Sequence, residues 1–397
     1  MVEGGEGQRG QGGLTPWDVA VVGLGAMGSA AAWQAAKRGA RVLGIDQFRP
    51  PHALGSSHGD TRITRLAIGE GEQYTPLVLR SNEIWQEVER ETGEKLRAVT
   101  GGLIISGPSR SATTHVANFF GNTLASARRF GIEHQLLDAA AIRKRFPQFA
   151  VRDDEVGYFE PGAGYLRPER CIAAQLKLAA ASGAELHTDE RVQAIDDRAG
   201  HVRITTDRGT YDAKSAILSM GAWLPGFLDP ALARRLTVTR QVLYWFAPRG
   251  DAGEFETPRF PIWIWELQET KHVIYGFPAI DGAGGGVKVA TEQYLRTTAP
   301  DSVDREVGDE EKRAMHRELV APYLPGLSDR CVKAVACMYT ATPDFQFWID
   351  RHPAMPNVVI VSACSGHGFK HSAAIGEKSV EMALRSAAAP GFLPTQE

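Results

Sequence analysis

The stretch WDVAVVGLGAMGSAAAWQAAKRGARVLGID, residues 17–46, constrains the fold more than any other part of the chain. An apolar run from Val19 to Val22 enters Gly23-Leu-Gly25-Ala-Met-Gly28, and an alanine-rich segment continues to about Arg38. Gly39 ends that segment, and a second apolar run closes on Asp46. Periodicity and punctuation predict a complete βαβ unit. Gly23 suits a tight turn, Gly25 lets a pyrophosphate approach the backbone, and Gly28 lets helix and strand pack closely. The helix N-terminus adds N–H donors and positive potential at the same place. Asp46, 18 positions after Gly28, is placed to accept hydrogen bonds from an adenosine ribose. A glycine triplet alone fits any tight turn; with strand, helix and acidic terminus present, the unit points to dinucleotide binding.

A chain of 397 residues is too long for one ordinary core, so two interleaved domains are expected. Hydrophobic residues make up 43% and charged residues 23%, which excludes wholesale disorder. The formal charge of −3 gives no general attraction to nucleic acid or to an anionic membrane. No apolar run reaches the roughly 20 residues that cross a bilayer, so a cytoplasmic protein is expected. Residues 1–14, Gly-rich and polar, are expected to form a disordered leader. Cys171, Cys331, Cys337 and Cys364 show neither metal-ligand spacing nor a disulfide framework.

A doubly wound sheet would continue with alternating strands and helices, but after Asp46 comes a Pro/Gly/Ser/His-rich passage containing Arg49, Arg62 and Arg65. Helices are expected over 75–92, 111–130, 139–145 and 168–184. Short alternating runs around Val192, Val202–Thr205 and Tyr211 suggest a β-meander. Between 236 and 290, LTVTRQVLYWFAP, FPIWIWELQ and HVIYGFPAI are three aromatic-rich strand candidates of an antiparallel sheet. The apolar strand, Gly turn and helix near 357–384 return the chain to the first domain. The expected class is α/β, with α+β character in the second domain. A Rossmann-like nucleotide domain (15–95, 155–235 and 338–397) carries an inserted antiparallel-sheet substrate domain (96–154 and 236–337).

GSSHGDTRITR (55–65), ILSMGAW (217–223), YGFP (275–278), CMYT (337–340) and SGHGFK (365–370) occur in the order of the motifs of one family. With the glycine fingerprint they make the chain, from about 17 to 388, resemble monomeric sarcosine oxidase and N-methyltryptophan oxidase. The resemblance implies a monomeric, FAD-dependent oxidase of a small secondary amino acid, with O2 as acceptor. It implies FAD joined covalently through Cys337. Taken on its residue type alone, Cys337 reads as a small buried hydrophobe, and the match of CMYT to the family reverses that reading; flavin attachment needs a thiolate with access and positive surroundings. The implied FAD contacts are Gly23, Gly25, Met27, Gly28, Asp46, Ser57, Thr61, Gly221, Cys337, Gly366, Gly368, Phe369 and Lys370.

For the substrate, the resemblance assigns Arg65 and Lys370 to a carboxylate, a task that suits a guanidinium's paired donors. Surface ion pairs with Asp60 or Glu70 are the bland reading of Arg65, and a helix-cap role that of Lys370. Arg62 and Arg65, three apart, could share a helical face or sit on a loop. Arg62 and His367 are expected beside the flavin, and Lys288, in GVKVA, above it, where a fixed cation aids oxygen reduction. Tyr275 and Tyr339 are expected pocket walls, with Trp263 and Trp265 enlarging the apolar contact. Two positions depart from the family: Glu292 stands for a histidine, and Ile68 for a common aromatic lining the pocket. N-methyl amino acid oxidation is therefore expected, beside oxidation of a cyclic secondary amino acid such as proline or pipecolate. An NAD(P)-dependent reductase and a non-catalytic nucleotide-binding regulator are rivals of other classes.

Overall fold

The computed structural model describes residues 17–109, 116–198, 200–268, 270, 272–282 and 284–385. The expected leader and the start of the helix expected over 111–130 lie outside the described residues. Among these residues no helix is long and apolar enough to cross a membrane.

The βαβ unit forms as its pattern dictates. Strand Trp17–Val22 lies between Val42–Ile45 and Thr210–Leu218, parallel to both, and Glu185–His187 and Met355–Ser362 extend the sheet in parallel. The meander strands Val192–Arg198 and His201–Thr206 add antiparallel at one side. Helices Ala26–Lys37, Pro168–Ala181 and Ser372–Leu384 pack together over this sheet, with Val19, Val21, Trp33, Ile217 and Ile375 in their shared core.

A second eight-stranded sheet runs in the order Leu327–Ala341, Thr237–Pro248, Val287–Thr291, Val273–Phe277, Ile262–Glu266, Gly102–Ser106, Val156–Glu160, Gln135–Asp138. All pairs are antiparallel except Gly102–Ser106 with Ile262–Glu266. The sheet is thus mixed rather than wholly antiparallel. Strand Val156–Glu160 joins it although its residues follow the boundary expected at 155, and Leu327–Ala341 runs through the boundary expected at 337. Arg62–Thr64 is neither helix nor loop: it is a short strand in a three-stranded sheet with Gly164–Leu166 and Arg97–Val99.

Register corrects the reading of the two tryptophans. Cross-strand partners share a face, and alternate residues share a face along a strand. Ile264 pairs with Tyr275, and Tyr275 with Ala290, so these lie on the face of Lys288 and Phe277. Trp263 and Trp265 necessarily point to the other side, where both are fully buried around Phe149. They build the domain core and do not enlarge the pocket; Ile264 is the wall residue.

Candidate active site

Two connected cavities lie where the sheets meet. The larger, about 1380 Å³ including space open to solvent, is lined by the Gly23–Met27 turn, Asp46, Ser57, Gly221 and the turn carrying Gly366 and Gly368. Its floor is shaped for a group lying close to backbone. A Cβ at Gly25 would meet nothing within 4 Å, which leaves open space before the helix N-terminus, whereas one at Gly28 would stand 1.8 Å from the Gly23 carbonyl oxygen. Gly28 therefore packs the turn without lining the cavity. Asp46 accepts from Leu24 N–H at 2.7 Å and from Phe48 N–H at 2.9 Å, fixing the glycine turn and leaving further lone pairs for a ribose. These residues fit the pyrophosphate and ribose of FAD. Phe48, His52, Ser56, Arg191 and Trp223 also line this cavity; Ser56 and Trp223 lie inside the GSSHGDTRITR and ILSMGAW motifs without having been singled out, and nothing marked Arg191.

The smaller cavity, about 730 Å³, shares Tyr339, Gly366 and Phe369 with the larger. It brings together Arg62, Arg65, Tyr275, Lys288, His367 and Lys370, with Thr61 beside them. Lys288 is 2% exposed and donates to Gly59 O at 2.7 Å, Thr61 O at 2.9 Å and Thr61 Oγ1 at 3.2 Å. Burial, reinforced by Arg62, holds its ammonium well below the ordinary lysine value. Glu169 braces this loop by accepting from the N–H groups of Gly59 and Asp60. Tyr275 and Tyr339 hydroxyls lie 3.1 Å apart; burial pushes Tyr275 up to about 12 and Tyr339 well above the phenol value, so both stay neutral. His367 stacks on Phe347 at 4.4 Å, its Nε2 3.2 Å from Phe345 O.

Arg65 and Lys370 are both buried, and one carboxylate lies between them. Glu70 pairs with the Arg65 guanidinium on one oxygen and with Lys370 Nζ, at 3.2 Å, on the other. The pair that a surface reading assigned to Arg65 exists, but it is buried and lines the cavity. Glu70 lies 300 positions from Lys370, and nothing local in the sequence marks that contact. Arg65 also lies 4.9 Å from the ring of Phe119, a wall residue that the sequence did not single out.

Ile68 is a correction. It is fully buried in the core of the nucleotide domain, its N–H donating to Ser126 Oγ, and it lines neither cavity. The chain turns it inward after Arg65. Glu292 does line the smaller cavity, on the face of Lys288 two alternations along the strand direction. Cys337 borders neither cavity directly. It is 1% exposed, with Sγ 3.8 Å from an Arg62 Nη2 and 3.5 Å from Ser56 O, between residues that line the two.

The sequence matches the family model described as FAD dependent oxidoreductase over residues 18–382. A monomeric sarcosine oxidase of Streptomyces avermitilis is 44% identical over 372 residues, covering 93% of this chain and 94% of that one. An N-methyl-L-tryptophan oxidase of Yersinia pestis is 35% identical over 361 residues, covering 91% and 93%. Among solved structures, NikD, an unusual amino acid oxidase essential for nikkomycin biosynthesis, superposes with a TM-score of 0.79 at 24% identity, covering 97% of this chain and 100% of that one. That likeness concerns the fold. The cofactor is FAD and not a nicotinamide, and the chain belongs to the FAD dependent oxidoreductases, in the family of monomeric sarcosine oxidase and N-methyltryptophan oxidase.

Proposed function

We propose that the protein oxidises an N-methyl amino acid to the primary amino acid and formaldehyde, acting as a monomer. The observation that carries this reading is the buried pair Arg65 and Lys370, sharing Glu70 in a cavity that opens onto the FAD cleft. Two cations held on one carboxylate form a site in which a substrate carboxylate exchanges with a resident one. Held there, the substrate presents its N-methyl carbon toward the shared wall of Gly366 and Phe369, a positioning effect rather than chemistry. The neutral hydroxyls of Tyr275 and Tyr339 meet the amine without adding charge. When bound, FAD accepts two electrons from the substrate's C–N unit and passes them to O2, giving H2O2. Water then hydrolyses the oxidised substrate.

The reading is tested by following H2O2 and formaldehyde under air with N-methylglycine, N-methyltryptophan, proline and pipecolate. Formaldehyde in step with H2O2 supports demethylation. H2O2 from proline or pipecolate alone would transfer the reading to cyclic amines, and none from any secondary amino acid would sink it.

Arg62 supports the assignment of Cys337 as the point of flavin attachment, because its guanidinium provides the positive surroundings a thiolate needs. Cys337→Ser should therefore release its yellow colour into the supernatant on acid precipitation, while the parent protein keeps colour in the pellet. Colour leaving the parent pellet would refute attachment and leave FAD binding intact.

Lys370 makes carboxylate binding depend on pH. Burial pulls its ammonium down to about 8, against the upward pull of Glu70. A bound carboxylate favours the protonated form, so affinity for a simple acid such as propionate is full below pH 8 and weakens as pH rises through it. Titration by the change in flavin absorbance should show this fall in the parent and lose it in Lys370→Met. A pH-independent affinity in the parent would exclude Lys370 from the site.

A further inference from the structure

Glu160 ends the strand Val156–Glu160 and is 1% exposed, yet it forms no ion pair with any of the described residues. A carboxylate so placed loses its hydration and must be repaid by donors. Three are supplied: Leu66 N–H at 2.6 Å to one oxygen, and Ala67 N–H at 3.2 Å and Tyr158 O–H at 3.0 Å to the other. Two of these donors are the successive peptide groups that follow Arg65. The Ala67 carbonyl in turn accepts from the Arg65 guanidinium. Glu160 thus grips, from the second sheet, the piece of backbone that both carries Arg65 and holds its head group.

We propose that Glu160 is a positioning residue for substrate recognition, its buried carboxylate fixing the 65–67 backbone so that the Arg65 guanidinium faces the cavity between Glu70 and Phe119. The inference rests on the reading of that cavity as an amino-acid site. The chemistry requires a carboxylate specifically. Peptide N–H groups can only donate, and a glutamine offers a single acceptor oxygen. In Glu160→Gln the amide nitrogen has to face one of the two N–H groups, leaving a buried donor unpaired and the loop free to shift. Burial raises the Glu160 carboxyl above the ordinary value, opposed by the Leu66 and Ala67 N–H groups and by Arg65.

The test is the dissociation constant of propionate, read from flavin absorbance in the holoenzyme, for the parent and for Glu160→Gln. Losing one charge-assisted hydrogen bond at the loop should weaken propionate about 10-fold or more. Turnover of an N-methyl amine lacking a carboxylate should change less than about 2-fold, because it does not use Arg65. A merely structural role predicts a lower melting temperature with unchanged propionate affinity, and that result overturns the proposal. So does equal loss for the acid and the amine. Should Glu160→Gln fail to fold, Glu160→Asp keeps the charge but draws the acceptors back by one methylene, and must show the same acid-selective loss. If the parent itself does not bind propionate, the amino-acid reading fails and this inference falls with it.

Discussion

Lys288→Met is expected to slow reoxidation of the reduced flavin by O2 about 100-fold or more, the range found when one preorganised charge-stabilising donor is removed, while anaerobic reduction by substrate changes only modestly. The substitution approximately keeps the volume between Trp245 and Phe277, which lie 5.3 and 4.6 Å from Nζ. It removes the ammonium held between those two rings. Transfer of the first electron to O2 creates an anion, and a cation already held in place lowers the cost without reorganisation. Met also leaves Gly59 O, Thr61 O and Thr61 Oγ1 without this donor, so a lower melting temperature is expected as well. Stopped-flow measurement of the two half-reactions separates the effects: equal slowing of both would mean that Lys288 only supports the loop. Because burial and Arg62 hold the ammonium down, reoxidation in the parent should also slow as pH rises and the cation is lost. Lys288→Met should not show that limb.

What was legible in the sequence is what local chemistry enforces. The glycine turn is written in the positions where a Cβ would strike backbone, as at Gly28, or fill the phosphate space, as at Gly25. Helices Thr75–Thr92 and Ala139–Arg145 have the bounds their patterns gave. The faces of the second sheet were harder. Ile-Trp-Ile-Trp at 262–265 is apolar on both sides, so alternation cannot say which residues enter the pocket; only pairing with Tyr275 decides for Ile264. Ile68 fails for a related reason, since a loop has no period that tells inward from outward. Glu70 and Glu160 are acidic residues whose meaning lies in partners far along the chain, Lys370 for the first and Leu66 for the second. A carboxylate in a sequence gives no sign that it will be buried.

Glu70 also sets the size of the recognition effect. With both cations free, removing one from a bound carboxylate would cost roughly 2–5 kcal/mol. Here the substrate displaces a carboxylate already in place, and part of what it gains is returned by breaking the contacts of Glu70. Arg65→Ala and Lys370→Ala are therefore expected at the lower end, a loss of about 30-fold in kcat/KM for an N-methyl amino acid. The matching amine without a carboxylate should be a poor substrate of the parent and lose little more in either variant, since an absent interaction cannot be lost twice. Glu70→Gln moves the other way. It removes the competing charge, and at a pH low enough to keep Lys370 protonated without the upward pull of Glu70, propionate should bind about 10-fold more tightly, the value of one charge-assisted contact no longer broken. The ligand-free protein should melt earlier, because two buried cations then share no counterion. Tighter binding in Glu70→Gln together with weaker binding in Arg65→Ala and Lys370→Ala identifies one site contested by two carboxylates. Unchanged affinity in all three would place the substrate's carboxylate elsewhere in the cavity, with the Arg65–Glu70–Lys370 cluster serving only to tie the segment after Arg62–Thr64 to the turn Phe369–His371.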